Sequence, residues 1–347
     1  MRSEEYAAAI GELAVRDRSE RSRLLVTGRA PVETLRGVFT GKMPSAPQTS
    51  HGDDVKGIVE YSAVLTAKGR MVADLRVMWG PDPEEESLLL DVPDVAVESL
   101  MEHLRRYLPP RLATVENVSE SAGLLTVLGP ESGPTVSRLV TDGHVDADAL
   151  AGLEEGEFLV SGTGQDQIRI VRTCEVATPA LDLFVSGDRS AELWGKLTDL
   201  GAEPVGVEAW DMLRVEAGRP AFGRDMDEST ILSETGLEGR AVDSAKGCYT
   251  GQEIVVRIRD RGHVNRSLRG LFLADGPIPP SDAELFQGDR VVGHITSAVE
   301  SPRHGGGIAL AYVRREVALG ERVPVGSPDG PRAEVRELGS GWALALT

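Results

Sequence analysis

Residues 181–201 read LDLFVSGDRSAELWGKLTDLG, an apolar strand run, a short turn and then leucines at helical spacing. Leu193, Leu197 and Leu200 fall on one helix face. Asp188 or Ser190 can cap the start, and Gly201 suits the left-handed stop after the last turn. The same plan recurs in LLVTGRAPVETLRGVF (24–39), LLLDVPDVAVESLMEHLRRY (88–107) and LLTVLGPESGPTVSRLV (124–140), with no fixed period, so a solenoid is excluded. Between these units lie VEYSAVLT, MVADLRVMW and QIRIVRTCEV, strand-like runs whose order predicts antiparallel α+β sheets with helices on one face. A doubly wound parallel sheet fits this order less well.

The texture changes after about residue 268. LRGLFLAD, DRVVGHITSAV, GIALAYV, ERVPVG and WALALT are short strands between Gly, Pro and Asp turns with no good helix, which predicts a small β-barrel over 268–347. SAPQTSHGDD (45–54) and PDPEEES (81–87) read as exposed loops. At 347 residues, two or three packed modules are expected.

A formal charge of −18 and only 4% aromatic residues argue against a general nucleic-acid binder, so an anionic ligand needs a local basic pocket. Of the 37 lysines and arginines only five are lysines. The N-terminal MRSEEYAAAIGELAVRDRSE has no apolar core of a leader and no later run is long enough to span a bilayer, so a cytoplasmic protein with no membrane partner is expected. Cys174 and Cys248 form no CxxC pair. The six histidines show no metal-ligand spacing, GVFTGKM lacks the Walker spacing, and SGTGQDQ is no dinucleotide loop, so no intrinsic metal or nucleotide site is expected.

Three segments can carry chemistry. In KGCYTGQE (246–253), Thr250 and Glu253 match a capping box, which predicts a helix from Gly251 with Cys248 near its positive end and beside Lys246. Cys248 is then a reactive or metal-touching thiol, whereas Cys174, inside a strand-like run, reads as a small buried hydrophobe. In LRVEAGRPAFGRDMDE (213–228), Glu216 is either a solvated acid near a helix end or a carboxylate matched to the paired N–H groups of a 2-amino-4-oxo ring such as a pterin. Asp74, in a strand after the turn at Gly69 and Arg70, either binds a substrate amine or satisfies backbone amides.

KGCYTGQE, together with LRVEAGRPAFGRDMDE, RGHVNRSLRGL and VVGHITSAVESPRHGGGIALAYV, resembles the YgfZ family, folate-binding relatives of the glycine-cleavage T-protein (aminomethyltransferase) that support iron–sulfur enzymes. The resemblance covers most of the chain and is weakest up to about Val55. It implies a T-protein-like α+β ring around a central channel that holds tetrahydrofolate, with two interleaved subdomains (approximately 1–55 plus 121–267, and 56–120) and the terminal barrel. It implies that Glu216 contacts the pterin, that Asp74 corresponds to the catalytic acid that orients folate, and that Tyr249 and Arg257 are further folate contacts. Lys246, Gly247, Cys248, Tyr249, Thr250, Gly251, Gln252 and Glu253 form the signature, with Lys246 favouring the ionised form of Cys248.

Where the transferase has an acidic pair, this chain has Ala73-Asp74, and where the transferase has a ligand-contacting Glu, it offers only Asp182. The function implied first is therefore a folate-binding factor that assists assembly or repair of iron–sulfur clusters in client enzymes, including tRNA-modifying radical enzymes, with those clients or assembly proteins as partners. A folate-dependent aminomethyltransferase or other one-carbon transferase is the alternative. A non-enzymatic folate-responsive adaptor is the third.

Overall fold

The computed structural model describes residues 2–49, 55–82, 84–140, 145–274, 276–339 and 342. An eight-stranded sheet has the order β13-β1-β9-β12-β11-β10-β4-β3. Its strands are β1 (Ala14–Asp17), β3 (Gln48–Thr49), β4 (Val55–Ile58), β9 (Ala122–Leu128), β10 (Glu157–Ser161), β11 (Ile168–Thr173), β12 (Ala180–Ser186) and β13 (Glu203–Pro204). A five-stranded sheet, β5-β6-β7-β2-β8, contains β2 (Arg21–Thr27), β5 (Glu60–Leu65), β6 (Met71–Trp79), β7 (Leu88–Pro93) and β8 (Thr114–Asn117). Every pairing is antiparallel except β1 with β13. Strand β2 comes from the segment expected to accompany 121–267, yet it pairs with β7 over six residues, so the first segment serves both sheets.

Nine helices are described: α1 (Arg2–Gly11), α2 (Pro31–Arg36), α3 (Val97–Tyr107), α4 (Ser132–Leu139), α5 (Ala147–Ala151), α6 (Gly187–Asp199), α7 (Val207–Glu216), α8 (Glu238–Ala241) and α9 (Gln252–Arg261). The four strand–turn–helix units form as β2–α2, β7–α3, β9–α4 and β12–α6. In α6, Leu193 and Leu197 are buried against Leu183 and Val185, each worth roughly 1.5–3 kcal/mol. Gly201 takes φ +93°, but Leu200 lies outside the helix, largely exposed, and the helix starts at Gly187 without a side-chain cap from Asp188 or Ser190.

Each sheet sends one face to a helix layer. Val15, Val127, Leu181 and Ile170 form that core in the large sheet, and Leu24, Leu75, Val77 and Leu90 in the small one. The opposite faces meet each other. There the small sheet presents Arg21, Asp74, Arg76 and Asp91, and the large sheet presents Arg16, Thr126 and Asp182, all buried. Apolar Met78, Leu124, Phe158, Val171 and Phe184 share this layer.

The C-terminal sheet, β15-β16-β17-β14-β19-β18, is a nearly closed six-stranded antiparallel barrel. Its strands are β14 (Arg266–Leu273), β15 (Glu284–Gln287), β16 (Arg290–Ser301), β17 (Gly306–Arg314), β18 (Arg322–Pro324) and β19 (Arg332–Arg336), and the bridge Leu285–Val325 draws its edges together. The last expected strand, WALALT, falls mainly outside the described residues, as does part of the 45–54 loop, whose described end holds β3.

Candidate functional site

A cavity of about 440 Å³ opens between the two sheets, α7 and the loop 217–225. Seven arginines and four carboxyl groups line it, which makes it the local basic pocket that a chain of net charge −18 requires for an anionic ligand. Strand β1 and the turn after it supply Arg16 and Arg18, which stack on Trp210 at 5.3 and 4.1 Å from the ring centre. Trp210, Tyr61 and Phe222 are the aromatic lining.

Asp74 sits on β6 in the cavity wall, 7% exposed. The Tyr61 hydroxyl donates to its Oδ2 at 2.8 Å, a diagonal contact set by the pairing of Ala63 with Asp74. Its Oδ1 is buried and has no partner among the described residues. Burial raises the Asp74 pKa, opposed by Arg21 and the Tyr61 hydrogen bond. Burial and then Asp74 push the Tyr61 phenol well above its ordinary value, so it stays a donor at neutral pH. The Arg240 guanidinium lies 4.3 Å over the Tyr61 ring.

Behind Asp74 the charges are paired. Arg21 and Arg76 both reach Asp91 Oδ2, at 2.7 and 2.6 Å, and Arg76 also reaches Asp182 at 2.5 Å. Thr126 donates to the other Asp182 oxygen at 2.5 Å. Burial would raise the pKa of Asp91, but Arg21 and Arg76 outweigh it and hold the carboxyl low. Glu175, on the cavity wall, is likewise held well below the ordinary range because Arg76, Arg21, Arg18 and Arg240 overcome its burial. The network fixes the floor of the cavity; Oδ1 of both Asp74 and Asp91 is buried without a partner among the described residues, and of the two only Asp74 lines the cavity.

The other expected residues lie elsewhere. Glu216, at the end of α7, is 2% exposed and is not among the cavity-lining residues. The Tyr6 hydroxyl is 2.9 Å from both of its oxygens, and Ser301 donates to Oε1 at 2.5 Å, so this carboxyl joins α1, α7 and the barrel. Burial raises its pKa against those two hydrogen bonds. Two residues earlier, Arg214 holds Asp211, Asp225 and Ser297, a second joint to the barrel. Asp182 belongs to the buried network and is fully covered.

The capping box does not form. Gly251 is the N-cap residue of α9 at φ +84°, with no side-chain cap from Thr250. A Cβ at Gly251 would come within 2.6 Å of the Thr66 carbonyl oxygen, so close packing against β5 selects the left-handed turn. The ammonium of Lys246 donates to the carbonyls of Phe39 and Gly41 at 2.6 and 2.7 Å, and burial lowers its pKa to about 8. Tyr249 belongs to the cluster of Ala63, Met71 and Leu237 and does not line the cavity, but Tyr61, Phe222 and Leu237, which share that cluster, do. Cys248 and Arg257 are exposed, and neither lines the cavity. Cys174 is a free thiol of intermediate exposure, not a fully buried one, and partial burial raises its pKa.

Arg18, Arg21, Tyr61, Glu175 and Trp210 were not singled out in the sequence. The signal for two of them is VRDRSERSR (15–23), where arginines at 16, 21 and 23 fall on the inner faces of β1 and β2 and Arg18 follows β1 directly.

This is a mixed α+β ring with a terminal barrel, built around a basic, aromatic-lined cavity. Residues 1–246 match the GCVT N-terminal domain and residues 266–338 the glycine cleavage T-protein C-terminal barrel domain. The chain belongs to the glycine cleavage T-protein family. It is 27% identical over 329 residues to an aminomethyltransferase of Thermotoga neapolitana, covering 94% of this chain and 85% of the relative. It is 26% identical over 329 residues to an aminomethyltransferase of Synechocystis sp., covering 93% and 83%. The crystal structure of the glycine cleavage system aminomethyltransferase T from Bartonella henselae superposes with a TM-score of 0.79 at 20% identity, over 96% of this chain and 87% of that one, which establishes the shared fold. No helix among the described residues is long and apolar enough to cross a membrane.

Proposed function

We propose that the cavity binds tetrahydrofolate, the cofactor of the aminomethyltransferase family, and that the chain uses it in one-carbon transfer of the aminomethyltransferase type, the activity named in its relatives. The observation that carries the binding step is Asp74 Oδ1, a buried carboxyl oxygen without a partner in the wall of an arginine-rich cavity. A pterin N–H donating to Oδ1 would satisfy it. Trp210 and Phe222 offer apolar surface to the rings, and the arginines offer charge to the anionic tail. Asp74 would orient the folate and hold or release a proton at Oδ1, with Tyr61 fixing Oδ2 throughout.

Calorimetric titration of tetrahydrofolate tests this. Wild type should bind and Asp74→Asn should bind at least tenfold more weakly, whereas Glu216→Gln should alter thermal stability more than affinity. Absence of binding heat in the wild type would remove the reading.

A second reading is supported by the exposed thiol of Cys248 within KGCYTGQE and by Ala73 in place of the first acid. In it, the folate-bound protein assists assembly or repair of iron–sulfur clusters in client enzymes, and Cys248 is the contact. One thiol supplies one ligand, so any cluster contact is shared or transient. Glycine-cleavage turnover that needs this chain and survives Cys248→Ala favours transfer. Client activity that needs Cys248, with no glycine-cleavage turnover, favours assistance.

A further inference from the structure

The inter-sheet layer has a second opening. At the edge away from Asp74, a cleft of about 540 Å³ is lined by apolar Leu25, Leu89, Val118, Phe184 and Val185, with Arg169 in its wall. Arg169, on β11, is 5% exposed. Its two terminal nitrogens donate to the carbonyls of Trp79 and Gly80, at 2.7 and 2.8 Å, and the guanidinium lies 4.7 Å over the Phe158 ring. Nε has no acceptor, and no carboxylate among the described residues pairs with this charge. Burial unrelieved by an acid lowers its pKa to about 10.

Buried charges are ordinarily paired, because an isolated ion loses its hydration with nothing in return. Two backbone carbonyls and an aromatic face hold this guanidinium in place but do not neutralise it. The same cleft is bordered by Ser186, Gly187 and Asp188, the first turn of the 13-residue helix α6, whose N-terminal dipole adds positive potential. Both features favour an anion. Glu120 and Asp188, exposed at the lining, disfavour a multiply charged one. The apolar walls call for a hydrocarbon or aromatic body.

We propose that this cleft is a second ligand site, separate from the Asp74 cavity, that takes a small amphiphilic monocarboxylate with its carboxylate facing Arg169 and its apolar part against Leu25, Leu89 and Phe184. The site does not depend on the folate reading, since it shares no lining residue with that cavity.

Octanoate is the anionic probe and octanamide the neutral one of the same length, titrated by calorimetry against the full chain. Octanoate should bind wild type saturably and more tightly than octanamide. Arg169→Met should weaken octanoate at least tenfold and leave octanamide unchanged. Val118→Glu, which keeps Arg169 and adds a carboxylate to the cleft, should also abolish octanoate binding, and it decides the matter if Arg169→Met does not fold. Tetrahydrofolate titration of both variants should match wild type, so failure of this proposal is distinguishable from failure of the cavity's assignment. The proposal is overturned if wild type shows no saturable octanoate binding, if octanoate and octanamide bind alike, if Val118→Glu binds octanoate like wild type, or if tetrahydrofolate displaces octanoate.

Discussion

The two ends of the inter-sheet layer handle buried arginine in opposite ways. Around Asp91, two guanidiniums converge on one carboxylate and Asp182 takes the next contact, so opposite charges compensate one another, with Asp91 Oδ1 and Arg76 Nη2 left without a partner among the described residues. Around Arg169, one guanidinium rests on two carbonyls and an aromatic ring and keeps its charge. A compensated network makes a rigid floor, and an uncompensated charge makes a site. The unpartnered oxygen that Asp74 presents to its cavity and the unpaired charge that Arg169 presents to its cleft are the same kind of feature with opposite sign.

The largest expected effect comes from breaking the compensated end. Asp91→Ala leaves Arg21 and Arg76 buried around a missing carboxylate and should cost about 3–5 kcal/mol in urea unfolding. Arg169→Met loses two hydrogen bonds but also removes an unpaired charge, and should cost less than about 2 kcal/mol. Equal costs would mean that the two ends do not differ in the way described.

Acid titration sharpens the same contrast. Asp91 and Glu175 have folded pKa values below the ordinary carboxylate value of about 4, so their stabilisation is complete above that value and is lost as pH falls through the folded values. In Asp91→Asn, the decline of unfolding free energy below about pH 4 should be shallower than in wild type. Asp74 has the opposite sign. Its folded pKa is raised, so its contribution is present at low pH and declines as pH rises through the interval above the ordinary value. Asp74→Asn should therefore match or exceed wild-type stability at pH 7 while weakening tetrahydrofolate binding at least tenfold, by about 1.4 kcal/mol or more. A variant that loses stability and keeps affinity would place the ligand elsewhere.

The helix-facing halves of both sheets were legible because apolar periodicity reports burial directly, as in Leu193 and Leu197 of α6. The inner halves were not. MVADLRVMW alternates Asp74 and Arg76 with Ala73, Leu75 and Val77, the pattern of a sheet with one wet face, and here the second sheet covers that face. Alternation records polarity and is blind to whether water or an opposite charge satisfies it. Glu216 shows a related limit. Its partners Tyr6 and Ser301 lie 210 and 85 residues away, so no local pattern separates a joint from a ligand contact. The motif T-x-x-E at Thr250 and Glu253 fitted a cap, but the approach of Gly251 to Thr66 overrode that preference.

The smallest structural effect is expected at the residue that set the sequence apart. Cys248 is exposed, joins no disulfide and lines neither cleft, so Cys248→Ser should change unfolding free energy by no more than about 0.5 kcal/mol. Tetrahydrofolate affinity should also match wild type, because Asp74, Tyr61 and Trp210 are untouched. Any loss of function in this variant would then belong to the thiol at the surface and not to the fold or the folate cavity. A fall in affinity comparable to that of Asp74→Asn would instead show that the KGCYTGQE segment shapes the cavity wall through Tyr249 and Tyr61, which share one cluster behind it.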